Sequence, residues 1–209
     1  GGDARLTGGQ AVLQIYDEFL PDGMLEGVRQ LLTSEFSLGG FFEKKRYRAK
    51  ESPDAGGAPG APPVELVVEE YGHKFLVNLN NYLDCGLFLD HRETRRRAER
   101  LLRDMMLLKE QRGERSEAPT MLNLFAYTGS FSVYAAAGGA ASTHTVDLSK
   151  TYCEWARRNF ALNAMPEEKH WIYRMEAFEF YRYAARKGLS FDLIVIDPPT
   201  FSRSPAGSF

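Results

Sequence analysis

The sequence predicts an α/β fold: a parallel sheet with helices on both faces, preceded by a small α+β extension. Three observations carry this. Apolar runs of strand length alternate with amphipathic helical segments from 120 to 197, as in consecutive βαβ units. Within that region, Met121 to Asp147 reads as strand, Gly turn, helix and a second strand ending on an acid, which is half of a nucleotide-binding unit. The Gly turn, Asp147, Glu176 and Asp197-Pro198-Pro199 all fall at or just past predicted strand ends, where such sheets hold their ligands.

The elements follow in order. Residues 1–10 are polar and Gly-rich and read as a frayed end. Val12 to Tyr16 is a short strand. An early Pro21 and the shared face of Met24, Val28, Leu31 and Leu32 predict a helix over 21–32. Phe36 to Lys50 starts apolar and turns basic. Residues 51–63 are rich in Pro, Gly and Ala and lack apolar periodicity, so they read as a flexible loop. Val64–Glu70 and Lys74–Leu79 flank Tyr71-Gly72-His73, a hairpin signal. These parts form the extension, placed at 1–90, and 91–209 forms the main domain.

Glu93 to Leu108 is a helix with Ala98, Leu101, Leu102, Met105 and Leu108 on its apolar face. Gln111 to Pro119 is a polar connector to the first core strand. A short helix covers Phe131 to Ala137. The helix at 149–163 turns Tyr152, Trp155, Ala156, Phe160 and Ala161 inward. Trp171–Tyr173 is a third strand, Ala177–Ala185 a helix, and Phe191–Asp197 a fourth strand.

Composition narrows the function classes. The chain has 209 residues, 44% hydrophobic and 12% aromatic, enough to fill the core of one large or two small domains. Mean hydropathy is −0.36, and no apolar run is long enough to cross a bilayer. Gly1 to Arg5 lacks a signal-peptide pattern. Two cysteines, Cys85 and Cys153, suggest a reducing compartment, and hence the cytoplasm. Neither has a Cys or His at metal-ligand spacing, so no metal site is expected. The net charge of −2 leaves nucleic acid open as a partner, because the basic residues are clustered. Lys44, Lys45, Arg46, Arg48 and Lys50 form one cluster; His91-Arg92 and Arg95-Arg96-Arg97 form another. Each reads equally as a solvated face or as a phosphate-contacting patch.

The Gly turn is not a phosphate cradle. It lacks the Gly-Lys-Ser/Thr of a P-loop, and Thr128-Gly129-Ser130-Phe131-Ser132 fails the dinucleotide pattern. A ligand without phosphates fits better, with Gly129 letting the backbone approach it closely. Asp147 is placed to accept both hydroxyls of a ribose, and Glu176 to accept from an exocyclic amine; S-adenosylmethionine satisfies that set. Taken singly, Asp147 reads equally as a cap before Leu148-Ser149-Lys150, and Glu176 as a first-turn helix acid. Asp197-Pro198-Pro199 ends an apolar strand abruptly and fixes an extended loop, a platform for a planar base on which Phe201 could stack. The alternative is a structural turn with a buried Phe.

Four segments together resemble the bacterial 23S rRNA guanine-N7 methyltransferases, which often form the C-terminal half of a fused two-methyltransferase protein. They are Asn80–Arg92, Asn123–Ala140, Thr145–Asn163 and Phe191–Ser202, in the family's order. The resemblance runs from about Tyr16 to Ser204. It implies a class I (Rossmann-like) methyltransferase domain, S-adenosylmethionine as cofactor with S-adenosylhomocysteine as product, and 23S rRNA or a ribosomal precursor particle as partner. Carried over by position, Asn123, Phe125, Ala126, Tyr127, Thr128 and Gly129 would hold the methionine part. Asp147, with Leu148 and Ser149, would take the ribose, and Glu176 and Ala177 would lie near adenine. Phe88, Asp90, His91 and Arg92 would close over the cofactor. Asp197, Pro198, Pro199 and Phe201 would face the reactive end and the base. Lys44, Lys45, Arg46, Arg48, Lys50, Arg95 and Arg96 would meet RNA.

Three other readings stay open. A cytosine-C5 methyltransferase needs a Cys nucleophile, and Cys85 and Cys153 are predicted away from the Pro-Pro loop. Exocyclic amine methylation calls for an aromatic directly after the prolines, where Thr200 stands. A non-catalytic RNA-binding protein with a degenerate domain would not be expected to keep Gly129, Asp147 and Asp197. The chain stops soon after the fourth strand, where a complete class I domain continues, so it reads as a fragment with C-terminal strands missing.

Overall fold

The computed structural model describes residues 9–16, 19–45, 62–82, 84–112 and 118–199, with the backbone of 203–204 and 207–208. The chain divides into two compact units: 1–66 with 77–85, and 67–76 with 86–209. The dividing line runs through the hairpin rather than at residue 90, so residues 67–76 belong with the main domain. The expected loop at 51–63 falls almost wholly outside the described residues.

In the first unit, β1 (Gly9–Ile15) pairs in parallel with β2 (Leu38–Lys45), and α1 (Met24–Glu35) makes the crossover between them. Strand alternation decides the fate of the basic run. Lys45 points out, whereas Lys44 points in and is fully buried. The hairpin consists of β3 (Glu65–Glu70) and β4 (His73–Asn78). Its two turn residues, Tyr71 and Gly72, have φ of 51° and 84°, the left-handed pair that a tight two-residue hairpin demands.

The second unit continues through a 3-10 turn at Leu89–His91 into α2 (Arg92–Gln111), β5 (Thr120–Leu124) and α3 (Ser130–Ala137). Then follow β6 (Ser142–Asp147), α4 (Lys150–Leu162), β7 (His170–Arg174), α5 (Ala177–Lys187) and β8 (Leu193–Ile196). The four strands form a parallel sheet in the order β7-β6-β5-β8. Two short antiparallel strands, β9 (Arg203–Ser204) and β10 (Gly207–Ser208), follow. Alternation along β5 sends Met121 to one face, against Ala98, Leu102, Phe131 and Ala135 of α2 and α3. Leu122 goes to the other face, against Val146 and against Phe180 and Ala184 of α5. Burying side chains such as Met121 and Phe180 contributes about 2 kcal/mol each. Helices therefore cover both faces, as expected for a class I methyltransferase sheet.

Two helix faces differ from the sequence expectation. On α2 the buried line is Arg95, Ala98 and Leu102, while Leu101 and Leu108 are 46% and 51% exposed. The cause is Arg95. Its guanidinium donates to Glu70 Oε1 and Oε2 at 2.7 and 3.0 Å and to the Phe88 carbonyl at 2.8 Å, so a paired charge occupies an inward position. On α4, Ala161 is exposed and Asn159 is buried instead. Asn159 Oδ1 accepts from Leu76 N at 2.8 Å, and its Nδ2 donates to the Thr128 carbonyl at 2.9 Å. A helix-period count of apolar residues cannot see such partners.

Among the described residues, no helix is long and apolar enough to cross a membrane.

Candidate functional site

The carboxyl ends of β5, β6, β7 and β8 bring the expected site residues to one edge of the second unit. The turn after β5 is wound tightly. Phe125, Tyr127 and Gly129 alternate in the left-handed region at φ 56°, 52° and 74°. For the two aromatics this costs about 1 to 3 kcal/mol each. Three hydrogen bonds hold the turn: Ala126 N to Val146 O at 3.0 Å, Gly129 N to Ala126 O at 2.9 Å, and Tyr127 N to Asp147 Oδ2 at 2.8 Å. Gly129 also packs closely against α4. A Cβ there would stand 3.0 Å from Phe160 Cε1 and 3.1 Å from Ala156 Cβ. Its close approach is to α4, under the turn.

Asp147 lies at the centre. Its Oδ2 accepts from Tyr127 N, and its Oδ1 accepts from Ser149 N at 2.8 Å. Burial pushes its pKa above the usual carboxylate value, opposed by the N–H groups of Ser149, Tyr127 and Leu148. Each oxygen keeps acceptor capacity beyond its one backbone bond, so the group can still accept from two vicinal hydroxyls. The following residue, Leu148, is 51% exposed and offers an apolar surface. The Ser149 hydroxyl caps α4, accepting from Tyr152 N at 3.3 Å. Glu176 caps α5 in the same manner, with Oε2 accepting from Glu179 N at 3.0 Å. Both side chains are helix caps in this structure.

Asn123 and Thr128 lie beneath the surface rather than on it, at 2% and 0% exposure. Asn123 Nδ2 donates to Ser132 Oγ at 3.2 Å, and Ser132 shares a 2.7 Å bond with Thr145. Thr128 Oγ1 donates to the Gly86 carbonyl at 2.7 Å. Both residues support the turn. An aromatic wall stands beside it: the Tyr127 ring lies 4.5 Å from Tyr152 in a T-shaped contact and 5.0 Å from Phe88. Asn159 and Trp155 were not singled out as site residues in the sequence. Trp155 Nε1 donates to Leu76 O at 2.9 Å, and its ring fills the space where a Cβ on Gly86 would sit. Their helical spacing shows only an inward face.

The far rim is polar. His91 Nε2 lies 3.3 Å from Asp197 Oδ2 and 3.9 Å from Asp90 Oδ2, and the Asp197 side chain is half exposed. Arg92 is drawn off to Tyr71, over whose ring it sits at 4.4 Å. Pro198 and Pro199 follow Asp197 in extended, exposed chain. Phe201 lies outside the described residues.

Part of the RNA-facing set needs correction. Lys44 is buried, with Nζ donating to Asn78 O at 3.3 Å and Cys85 Sγ at 3.4 Å. Arg95 is 1% exposed in its pair with Glu70. Neither side chain is at the surface to meet phosphate, because each is buried against its partners. Arg96 is half-buried, 4.2 Å over the Tyr71 ring, and Lys45 is exposed. Arg46, Arg48 and Lys50 lie outside the described residues.

Among the described residues, no cluster of three or more His, Cys, Asp or Glu is placed to hold a metal ion. A cavity of about 440 Å³ lies between the β3–β4 turn, the end of α3 and the α4–β7 loop. That is the amino end of the strands, opposite the constellation just described. Parallel sheets bind at their carboxyl ends, so the chemistry is assigned there.

A parallel sheet with a carboxylate at the end of its second strand and no phosphate cradle defines a class of nucleoside-binding α/β proteins. The S-adenosylmethionine-dependent methyltransferase family matches residues 39–209, and the chain belongs to that family. Over 140 residues it is 51% identical to ribosomal RNA large subunit methyltransferase K of Neisseria meningitidis, covering 67% of this chain and 36% of that protein. Over 144 residues it is 47% identical to ribosomal RNA large subunit methyltransferase K/L of Shewanella woodyi, covering 69% and 18%. A methyltransferase solved in complex with SAH shares the fold with a TM-score of 0.73 and 30% identity, over 95% of this chain and 47% of that one. An S-adenosylmethionine-dependent methyltransferase of Streptococcus mutans matches at 0.70 and 31%, over 90% and 46%. The chain thus spans less than half of each of these proteins.

The site fits S-adenosylmethionine on its own chemistry. Asp147 has acceptor capacity for ribose hydroxyls, and Leu148 offers an apolar surface beside it.

Proposed function

We propose that the chain is the S-adenosylmethionine-binding part of a cytoplasmic enzyme that methylates guanine N7 in 23S rRNA, as naked RNA or in a precursor particle. The observation that supports it best is Asp147 at the end of β6, each of whose oxygens accepts from a backbone N–H and keeps acceptor capacity for a ribose hydroxyl. The rRNA substrate rests on the relatives' names. Guanine N7 rests on the four sequence segments that resemble that family.

S-adenosylmethionine supplies an electrophilic methyl group on a sulfonium. The residues of the chain orient it. Asp147 accepts from the ribose. Leu148, Glu176 and Ala177 border the adenine. The turn from Phe125 through Thr128 borders the methionine part, with Phe88, Asp90 and Arg92 on the preceding segment. Asp197-Pro198-Pro199 fixes the base, with Phe201 stacking on it. Guanine N7 has an in-plane lone pair, so no residue needs to abstract a proton, and catalysis is mostly alignment. Asp197 then orients a group rather than acting as a base. Lys45, Arg46, Arg48, Lys50 and Arg96 supply phosphate contacts, and binding weakens with salt.

A cytosine-C5 reading finds no support in Cys153. Its thiol is buried and its pKa is raised, first by burial and then by Asp147. Nucleoside mapping of 23S rRNA from cells with and without the gene tests the proposal. The expected result is one N7-methylguanine that disappears with the gene. Loss of a C5-methylcytosine, or no change, would overturn it.

A further inference from the structure

We infer that His91 is a positioning residue that acts through Asp197, rather than a direct contact to the cofactor; this rests on the function proposed above. Sequence position alone grouped His91 with Phe88, Asp90 and Arg92 as a cofactor contact. Its nearest charged neighbours are Asp197 and Asp90. Its Nε2 lies 3.3 Å from Asp197 Oδ2, an ion-pair distance, at the carboxyl end of the sheet. The pair joins the 3-10 turn ahead of α2 to the loop after β8, two segments more than a hundred residues apart in the sequence.

The ring is set from behind. Phe131, in the first turn of α3, meets His91 in a T-shaped contact with ring centroids 5.9 Å apart. Phe131 is itself 8% exposed and packs with Ala98, Leu102 and Met121 in the core. A chain of contacts thus runs from the core through Phe131 and His91 to Asp197. An orienting partner of this kind fixes which oxygen of a carboxylate remains for the ligand. With Oδ2 engaged by His91, Oδ1 is the oxygen left to face the base or cofactor. Asp90, at 3.9 Å and 77% exposed, is the weaker of the two acceptors around the imidazole.

The arrangement also bears on chemistry. A carboxylate held beside an imidazole is placed to orient a group. That suits a lone-pair nucleophile such as guanine N7, which has no proton to lose. Losing the orienter should therefore slow turnover more than it weakens cofactor binding.

The test uses the full-length protein and its variants His91→Ala, His91→Gln, Asp197→Asn and the double variant His91→Ala/Asp197→Asn. Turnover on 23S rRNA is measured alongside S-adenosylhomocysteine affinity. The expected result is a fall in kcat of about fivefold to thirtyfold for His91→Ala, with affinity changed less than about twofold. Gln, which keeps an N–H donor, should recover most of the rate. In the Asp197→Asn background, His91→Ala should add little. The inference is overturned if His91→Ala lowers affinity as much as turnover, or if the two single effects multiply.

A double-mutant cycle on the unfolding equilibrium needs no activity. The pair should show about twofold to fivefold coupling, and its absence would also overturn the inference. If the wild-type protein methylates nothing yet the cycle shows coupling, the proposed function fails while the pairing stands.

Discussion

At the residue scale, the site depends on backbone conformations that only particular residues tolerate. Gly129 combines a φ of 74° with a Cβ direction filled by Phe160 and Ala156. Gly188 has a φ of 64° but nothing within 4 Å of its Cβ direction. Comparing Gly→Ala at both positions separates conformational strain from packing. Gly188→Ala should cost about 1 kcal/mol, and Gly129→Ala about 2 to 4 kcal/mol. Urea unfolding measures both, and equal costs would show that α4 yields freely. The same scale shows what the sequence conceals. The acids at strand ends were legible because strand, turn and carboxylate are local. Lys44 and Arg95 were not, since their burial depends on Asn78, Cys85 and Glu70, which lie 25 or more residues away. Asn159 was missed for the same reason. The packing of Gly129 against Phe160 and Ala156 was not legible either.

At the element scale, β6 carries a titratable group into the aromatic layer under α5. The ring of His144 packs against those of Trp171, Tyr173 and Phe191, and burial pulls its pKa down to about 4. A depressed folded pKa means that the unfolded chain binds the proton more readily. The contribution is fully present above the unfolded value of 6.5 and is lost as pH falls toward 4. Between about pH 7.5 and pH 5, His144 should remove roughly 2 kcal/mol of stability. His144→Phe keeps an aromatic ring without the charge, and should flatten that dependence when unfolding free energies are compared at the two pH values. An unchanged slope would assign the acid sensitivity elsewhere, for instance to His170, whose pKa is also lowered by burial. Strands β5, β7 and β8 were readable because each holds consecutive apolar residues, whereas β6 is polar apart from Val146. The helix faces were less so, because α2 and α4 each turn a polar side chain inward, and such positions break the apolar count.

At the scale of the whole molecule, the parallel sheet with helices on both faces follows the alternation visible in the sequence, while the order β7-β6-β5-β8 comes from the structure. The line between the two units does not follow that alternation. It passes through β3 and β4 because residues of that hairpin, Glu70 and Leu76 among them, bond to α2, α3 and α4 of the second unit. On β8, which lies at the sheet edge, Ile194 and Ile196 are 50% and 61% exposed on the α5 side. The account of function converges on Asp147, a half-buried carboxylate held by backbone N–H groups at the end of β6. Calorimetric titration of the full-length protein with S-adenosylhomocysteine, beside an Asp147→Ala variant shown to be folded, tests that claim most directly. Two charge-assisted hydrogen bonds to a ribose contribute roughly 3 kcal/mol, so the variant should bind about a hundredfold more weakly than wild type. Equal affinities, or no binding by the wild-type protein, would contradict the account.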